Sequence, residues 1–493
     1  MSPAPGQDRT TARGPDRRRI RRLAQETFGF ESLRAGQEDA IRSAAAGRDT
    51  LAVLPTGWGK SAIYQLAALL IPGPTVVVSP LIALQRDQVD ALEDADMGAA
   101  AANSHVRGAA RRQAFADFSS GDLEFLFLSP EQLARDDVVA EVAAAHPSLF
   151  VVDEAHCISA WGHDFRPDYL RLGEVVEAVG RPPVLALTAT ASPPVRQEIV
   201  ERLGLCDPEV VVRGFDRPNI ALAVRRFVGD GDQRAAVLDD TAAAEGPGIV
   251  YVATRRHAEE VAGALSERGV GAAHYHGGMA AGERNAVHSA FVADDLRVVV
   301  ATTAFGMGID KPNVRFVHHH DVADSLDYYY QEIGRGGRDG RPAAAVLYYR
   351  PEDLGLRRFF ASSGLSDDEL EGLAQEDAAE VEERHRRIEQ SRVEMMQAYA
   401  EARTCRRRLL LGYFGERLDE PCGNCDVCRS GTGGNGGGVV GGEPFPLLSR
   451  VSHPSWGEGQ VMGYEGDVVT VFFDRVGYKT LSLPLVEEAG LLE

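Results

Sequence analysis

Short runs that are apolar at every position recur through the first 350 residues, each followed by a polar stretch long enough for a helix. TLAVLP, TVVVSP, FLFLSP, LFVVDE and VLALTAT come first, then GIVYVAT, RVVVATT and VRFVHHHD. Runs apolar throughout, rather than at alternate positions, suit strands buried on both faces, and their alternation with helices is the βαβ pattern of parallel sheets. The chain is therefore expected to be α/β, with doubly wound parallel sheets over residues 23–212 and 213–350. In such sheets ligands bind beyond the carboxyl ends of the strands. The chemically distinctive segments stand at those ends.

At 493 residues the chain exceeds a single core, so three or more domains are expected. No apolar run approaches the ~18 residues that cross a bilayer, and membrane insertion is not expected. Arg9, Arg13, Arg17, Arg18, Arg19, Arg21 and Arg22 crowd the start, but no apolar segment follows as in a secretory signal. Residues 1–22 read as a solvated basic tail, and the location as cytoplasmic. A formal charge of −21 excludes a protein that coats nucleic acid over its whole surface, so any such contact is confined to a local groove.

From Pro351 to Arg429 the pattern becomes helical and charged and closes on PCGNCDVC. Cys422, Cys425 and Cys428, with Cys405 from the preceding helix, make a four-thiolate set suited to tetrahedral zinc, with an iron–sulfur cluster as the alternative. Cys157 and Cys206 lie outside it and read as buried thiols. SGTGGNGGGVVGG at 430–442 is a flexible linker. The tail, 443–493, has short alternating runs between Gly/Asp/Glu turns, which predicts a small five-stranded all-β barrel, independent enough that its removal leaves hydrolysis intact.

TGWGKS at 56–61 has the strand, loop and helix setting of a phosphate-binding loop. Thr56, Gly57 and Gly59 would turn backbone N–H groups toward phosphate, Lys60 would reach the β/γ-phosphates and Ser61 would offer its hydroxyl to magnesium. The chain has lysine only at 60, 311 and 479, which makes Lys60 more telling. DEAH at 153–156 ends another apolar run. Asp153 would hold magnesium and Glu154 would orient or deprotonate the attacking water. In QEIGRGGRDG, Arg335 and Arg338 are candidate arginine fingers, able to stabilise charge on a transferring phosphoryl group.

TGWGKS, SPLIALQRDQ, DEAHCISAWGHDFRPDY, LTATA, ATTAFGMGID and QEIGRGGRDG appear in the order of superfamily 2 helicases, and from about residue 23 to 429 the chain resembles the RecQ family. The resemblance implies two RecA-like domains, ATP and magnesium as cofactors, zinc at the four cysteines, and 3′–5′ DNA unwinding in recombination or repair. FGFESLRAGQ resembles the family's adenine-recognition segment. Gln37 would pair with adenine, Arg34 would assist, and Phe30 would stack where the family commonly has tyrosine. AHCISAWGHDFRPDY resembles the aromatic-rich loop that couples single-stranded DNA to hydrolysis. Trp161 and Phe165 would stack on bases, while His163 and Arg166 would meet phosphate or the carboxylates. Ser79, Asn103, Ser104 and His276 fall where the family contacts the DNA backbone.

Larger members continue past the zinc module with a winged helix and often a further helical (HRDC) domain, neither of which is expected here. The tail looks like the Tudor-type or SH3-like barrels of some other helicases. Single-stranded and forked DNA are the expected partners, with RNA polymerase or a repair factor as candidate partners of the tail, in a nucleoid-associated setting. Two other readings stay open: a single-strand translocase that clears bound proteins, and a nucleic-acid-binding adaptor recruited through the tail.

Overall fold

The computed structural model describes residues 14–80, 82–102, 108–159, 166–306, 311–362, 375–431, 444–446, 448–465 and 467–493. The chain divides into two units at Gly214. In the first, β1 (Thr50–Val53), β2 (Thr75–Val78), β3 (Ala99–Ala101), β4 (Phe125–Leu128), β5 (Leu149–Val152), β6 (Val184–Thr188) and β7 (Glu209–Val212) form a parallel sheet in the order β3-β4-β2-β5-β6-β1-β7. β1, β2, β4, β5 and β6 are buried at every position. That is why their sequences carry no polar alternation.

A helix begins at Arg17, inside the stretch expected to be tail, and runs to Phe28. Ile20 and Ala24, four apart on one face, are buried among Ile41, Ile63 and Leu66. The arginines of this helix stay outside, where Arg17 pairs with Asp39 at 2.9 Å and Arg21 with Glu38. Cys206, expected to be buried, is exposed. It falls in the turn between the helix Pro193–Arg202 and β7, where its backbone N–H donates to Asp49 at 2.7 Å.

In the second unit, β8 (Ile220–Arg226), β9 (Gly248–Tyr251), β10 (Ala272–Tyr275), β11 (Val298–Ala301), β12 (Phe316–His319) and β13 (Ala343–Tyr349) form a parallel sheet in the order β10-β11-β9-β12-β13-β8. Alternate residues divide between two cores: Val298, Val300 and Phe316 face one, Val299, Ala301 and Val317 the other. Edge strand β8 is covered by the cysteine loop, which pairs Cys425 with Leu222 and accepts the Leu222 N–H at Asn424 O, 3.2 Å. The Val224 N–H donates to Asp426 at 3.0 Å. Capping an open edge removes a site for unwanted strand pairing.

The helices Gln375–Glu401 and Arg406–Tyr413 precede the cysteines. Most of the expected linker, residues 432–442, lies outside the described residues. Among its described residues the tail has four antiparallel strands in chain order, β14 (Arg450–His453), β15 (Gly457–Glu465), β16 (Val468–Phe473) and β17 (Gly477–Ser482), and not five. Its last apolar run ends instead in a helix, Leu483–Ala489, because Pro484 at the first turn favours a helix start and cannot donate to a sheet.

The tail is also less independent than its linker suggests. Tyr478 N–H donates to Ser391 Oγ at 2.7 Å, Lys479 pairs with Glu394 at 2.9 Å, and the Tyr478 ring lies 5.2 Å from that of Tyr413. Among the described residues no helix is long and apolar enough to cross a membrane.

Candidate functional site

After β1 the chain turns through Thr56–Gly59 into the helix Lys60–Ala68. Gly57 and Gly59 have φ of 78° and 69°, left-handed values that side chains disfavour. A Cβ on Gly59 would also stand 3.0 Å from Gln37 Nε2, so position 59 is restricted by both conformation and space. Lys60 and Ser61 open the helix, whose free N–H groups and positive end face the loop.

The segment FGFESLRAGQ lies against this loop. Gln37 Oε1 accepts the Arg34 N–H at 2.7 Å, and Gln37 Nε2 donates to the carbonyls of Trp58 and Gly59 at 2.8 and 2.9 Å. Arg34 donates to the carbonyl of Gly57, and its guanidinium sits 6.0 Å from the centre of the Trp58 ring. Phe30 is exposed and stacks on Phe28 at 5.5 Å. In this conformation the Gln37 carboxamide is thus occupied by the loop's own carbonyls.

Asp153 and Glu154 follow β5, which β6 separates from β1. The two motifs therefore stand at next-but-one strand ends. Asp153 is anchored by its N–H to Val78 O at 2.8 Å and by the Tyr169 hydroxyl, which donates to its carbonyl at 3.1 Å. Burial first, and then the Glu154 carboxylate, push the Asp153 carboxyl up to about 7, while Lys60 pulls the other way. A carboxylate so placed gains from a nearby cation, and with the Ser61 hydroxyl it offers the hard oxygen donors that magnesium takes.

Glu154 has φ 47° and ψ 46°, a left-handed backbone in a non-glycine residue that costs ~1–3 kcal/mol. Its Oε2 lies 3.3 Å from His156 Nδ1, which is 2.9 Å from Thr188 Oγ1, and that hydroxyl donates to the Thr190 carbonyl at 3.0 Å. A polar chain thereby joins the DEAH turn to LTATA. Reading the sequence assigned no role to His156 or Thr188. Both motifs were visible, but it is the β5–β6 register, Val152 opposite Ala186, that makes residues 32 apart into neighbours.

Of the residues expected to meet DNA, Trp161, His163, Phe165, Asn103 and Ser104 lie outside the described residues. Arg166 is half-buried, its N–H bonded to Cys157 O at 2.9 Å. Ser79 is fully buried at the end of β2 and offers no surface in this conformation.

In the second unit Arg335 is 5% exposed and Arg338 half-buried, both in the glycine-rich turn after the helix Leu326–Ile333. Arg217 grips that turn, donating to the carbonyls of Gly334, Gly336 and Gly337 at 2.9, 2.7 and 3.1 Å, and Asn219 donates to Gly337 O at 2.8 Å. Sequence reasoning missed these two. Their only signal is a short RPN segment at the start of β8. His276 is buried, its Nε2 3.1 Å from Glu259 Oε1.

The donor atoms of Cys405, Cys422, Cys425 and Cys428 all lie within 4.8 Å of one another. Backbone N–H groups of Cys422, Asn424 and Cys428 donate to the sulfurs of Cys405, Cys422 and Cys425 at 3.5, 3.4 and 3.4 Å, the outer-sphere support that thiolate ligands need. Donation from Cys422 and Cys425 holds Cys405 well below the usual thiol range, and the same contacts push Cys422 up. Four sulfurs this close, supported by backbone N–H groups, are the donor set that structural zinc takes once their protons have left.

Family models match along most of this length: DEAD/DEAH box helicase at residues 34–199, helicase conserved C-terminal domain at 233–340, and RecQ zinc-binding at 351–429. The ATP-dependent DNA helicase RecQ of Haemophilus influenzae is 41% identical over 406 residues, 82% of this chain and 63% of that protein. The Bacillus subtilis protein of the same name is 37% identical over 415 residues, 83% of this chain and 67% of the relative. The chain thus spans under two thirds of the Haemophilus protein. A solved structure of the Mycobacterium smegmatis helicase Lhr, bound to ssDNA and AMP-PNP, shares the fold at 20% identity and a TM-score of 0.54, over 80% of this chain and 62% of the other. With family models matched at 34–199, 233–340 and 351–429, the last of them RecQ zinc-binding, and with RecQ relatives 41% and 37% identical over 82% and 83% of its length, the chain belongs to the RecQ family of helicases.

Proposed function

We propose that the chain is an ATP-dependent DNA helicase that couples hydrolysis to 3′–5′ movement along single-stranded DNA and to duplex unwinding in recombination or repair. The observation that carries this reading is the joint placement of the Lys60 helix N-terminus and the Asp153–Glu154 pair at strand ends of one sheet, with Thr188 on the strand between them. Thr56, Gly57, Gly59 and Lys60 hold the triphosphate, Ser61 and Asp153 hold magnesium, and Glu154 orients or deprotonates the attacking water. Phe30, Arg34 and Gln37 read the adenine. Arg335 and Arg338 serve the transferring phosphoryl group, with Arg217 as their positioning residue. Trp161, His163, Phe165 and Arg166, with Asn103 and Ser104, meet the strand; Ser79 and His276, buried in this conformation, would reach it only after a rearrangement.

Single-stranded and forked DNA are the substrates in this reading, and the tail recruits a protein, RNA polymerase or a repair factor, at the nucleoid. Steady-state ATP hydrolysis is the test, measured alone and then with single-stranded DNA, duplex DNA and single-stranded RNA at fixed salt, followed by unwinding of a fork. Strong stimulation by single-stranded DNA over RNA, opening of a fork with a 3′ tail, and loss of both in Lys60→Ala are expected. Equal stimulation by RNA, or none by either, would overturn the reading.

A further inference from the structure

We infer that Glu259, His274 and His276 form a second metal site, of nitrogen and oxygen donors, that takes zinc or another borderline divalent transition-metal ion. β10 is the outer strand of its sheet. Residues two apart on an extended chain share a side, and the rings of His274 and His276 stack accordingly, 5.3 Å apart and 12° from parallel. Tyr275 turns the other way, against Phe305 at 4.7 Å. The helix Arg255–Glu267 packs beside this strand and supplies Glu259, whose Oε1 is 3.1 Å from His276 Nε2.

One donor atom from each residue lies within 4.8 Å of the other two. Two imidazoles and one glutamate are a known donor set for zinc, with the fourth position left to water. Burial is graded in the way such a site needs: His276 is 6% exposed, His274 half-buried, and the Glu259 side chain 58% exposed. The histidines give a fixed pair, and the exposed carboxylate is the arm that closes on an ion at the ~2.0–2.2 Å of a zinc–ligand bond.

Hydrogen bonding occupies only one ring nitrogen of His276, Nε2, which meets Glu259. His276 Nδ1 is buried with no partner among the described residues, and His274 is held there by ring stacking. A second histidine–carboxylate group, His257, His320 and Asp321, has the opposite character. Asp321 already sits 3.2 and 3.0 Å from the two imidazoles and accepts the Ala253 N–H at 2.6 Å, a closed network that an ion would have to break.

The probe is Co²⁺, titrated into the full chain with zinc already in its four-cysteine cluster. Binding at Glu259, His274 and His276 gives weak visible d–d bands without thiolate-to-cobalt charge transfer. One further equivalent with that spectrum is expected in the wild type, and its loss in both His274→Ala and Glu259→Gln, each checked by an unchanged melting curve. The half-exposed His274 and the exposed Glu259 are positions whose variants retain the fold. No further equivalent in the wild type would overturn the site, as would one that survives His274→Ala, or one whose spectrum is that of thiolates.

Discussion

The side chain of Gln37 holds the phosphate loop by the carbonyl of Gly59, at 2.9 Å, with Trp58 O beside it at 2.8 Å. The residue expected to read adenine is therefore also a clasp on the loop that binds phosphate, and nucleotide binding has to exchange one set of hydrogen bonds for another. Gln37→Ala is expected to raise KM for ATP about tenfold, the value of one charge-free hydrogen-bond set of ~1.4 kcal/mol, and to flatten the preference for ATP over GTP. Paired KM measurements on the two nucleotides separate the roles, since an equal rise for both would leave Gln37 only the loop.

Asp153 ties stability to pH. Its carboxyl is raised from 3.8 to about 7 in the folded protein, chiefly by burial. A raised acid binds its proton more tightly when folded, so the cost of the buried charge is absent below about 4, grows as pH rises toward 7, and stays constant above. Without nucleotide or magnesium, Asp153→Asn should melt several degrees higher than wild type at pH 8 and show little difference at pH 4, while hydrolysing no ATP. Thermal melts at the two pH values check the sign; a variant less stable at pH 8 would contradict the burial argument.

Arg335 and Arg338 are separable by burial. Arg335 is 5% exposed, with its Nε lacking a partner among the described residues, whereas Arg338 is half-buried. Arg335→Ala is expected to lower the melting temperature, because it empties space inside the second sheet's core region. Arg338→Ala is expected to keep the fold and reduce kcat by a factor on the order of 10³, as removal of an arginine finger does. Melting and single-turnover hydrolysis on both variants decide the assignment.

What the sequence carried well was the set of strands: a run such as TVVV is buried at every position, and its composition says so. The phosphate loop and the four cysteines were legible because their chemistry depends on close spacing. Residues whose partners are distant in the chain were not. Arg217 acts on Gly334 to Gly337, more than a hundred positions away, and His156 on Thr188 across a strand pairing. The helix at Arg17 was hidden because seven arginines outweigh two small apolar contacts, Ile20 and Ala24, until the core they enter is known.

The zinc module also closes a sheet edge. Leu222 and Val224 on β8 donate to the cysteine loop, and Arg407 pairs with Asp216 at 2.6 Å to hold the helix Arg406–Tyr413 in place. Cys425→Ser is expected to lose the cluster's zinc, lower the melting temperature and scatter light on heating, as an uncovered edge strand seeks partners. Zinc content and scattering measured together test this. Zinc loss without a change in melting would mean that the ion pairs alone keep the loop docked.

The tail is the last element whose role the packing predicts. Its β17 meets the helix Gln375–Glu401 through Tyr478 and Lys479, and the Tyr478 ring covers Tyr413, which is 5% exposed. Cutting the chain after Ser430 would open Ser391 and Tyr413 to water, and uncovering one large apolar side chain costs about 1.5–3 kcal/mol. The truncated protein should melt several degrees lower, because the helical module loses a packed neighbour. Its DNA-stimulated ATPase well below that melting point should stay within about twofold of the full chain, since Lys60, Asp153 and Glu154 all belong to the first unit while Tyr478 and Lys479 of the tail bond to the helix Gln375–Glu401 of the second. Unchanged melting would remove the packing role, and loss of hydrolysis in the folded truncation would make the tail part of the motor itself.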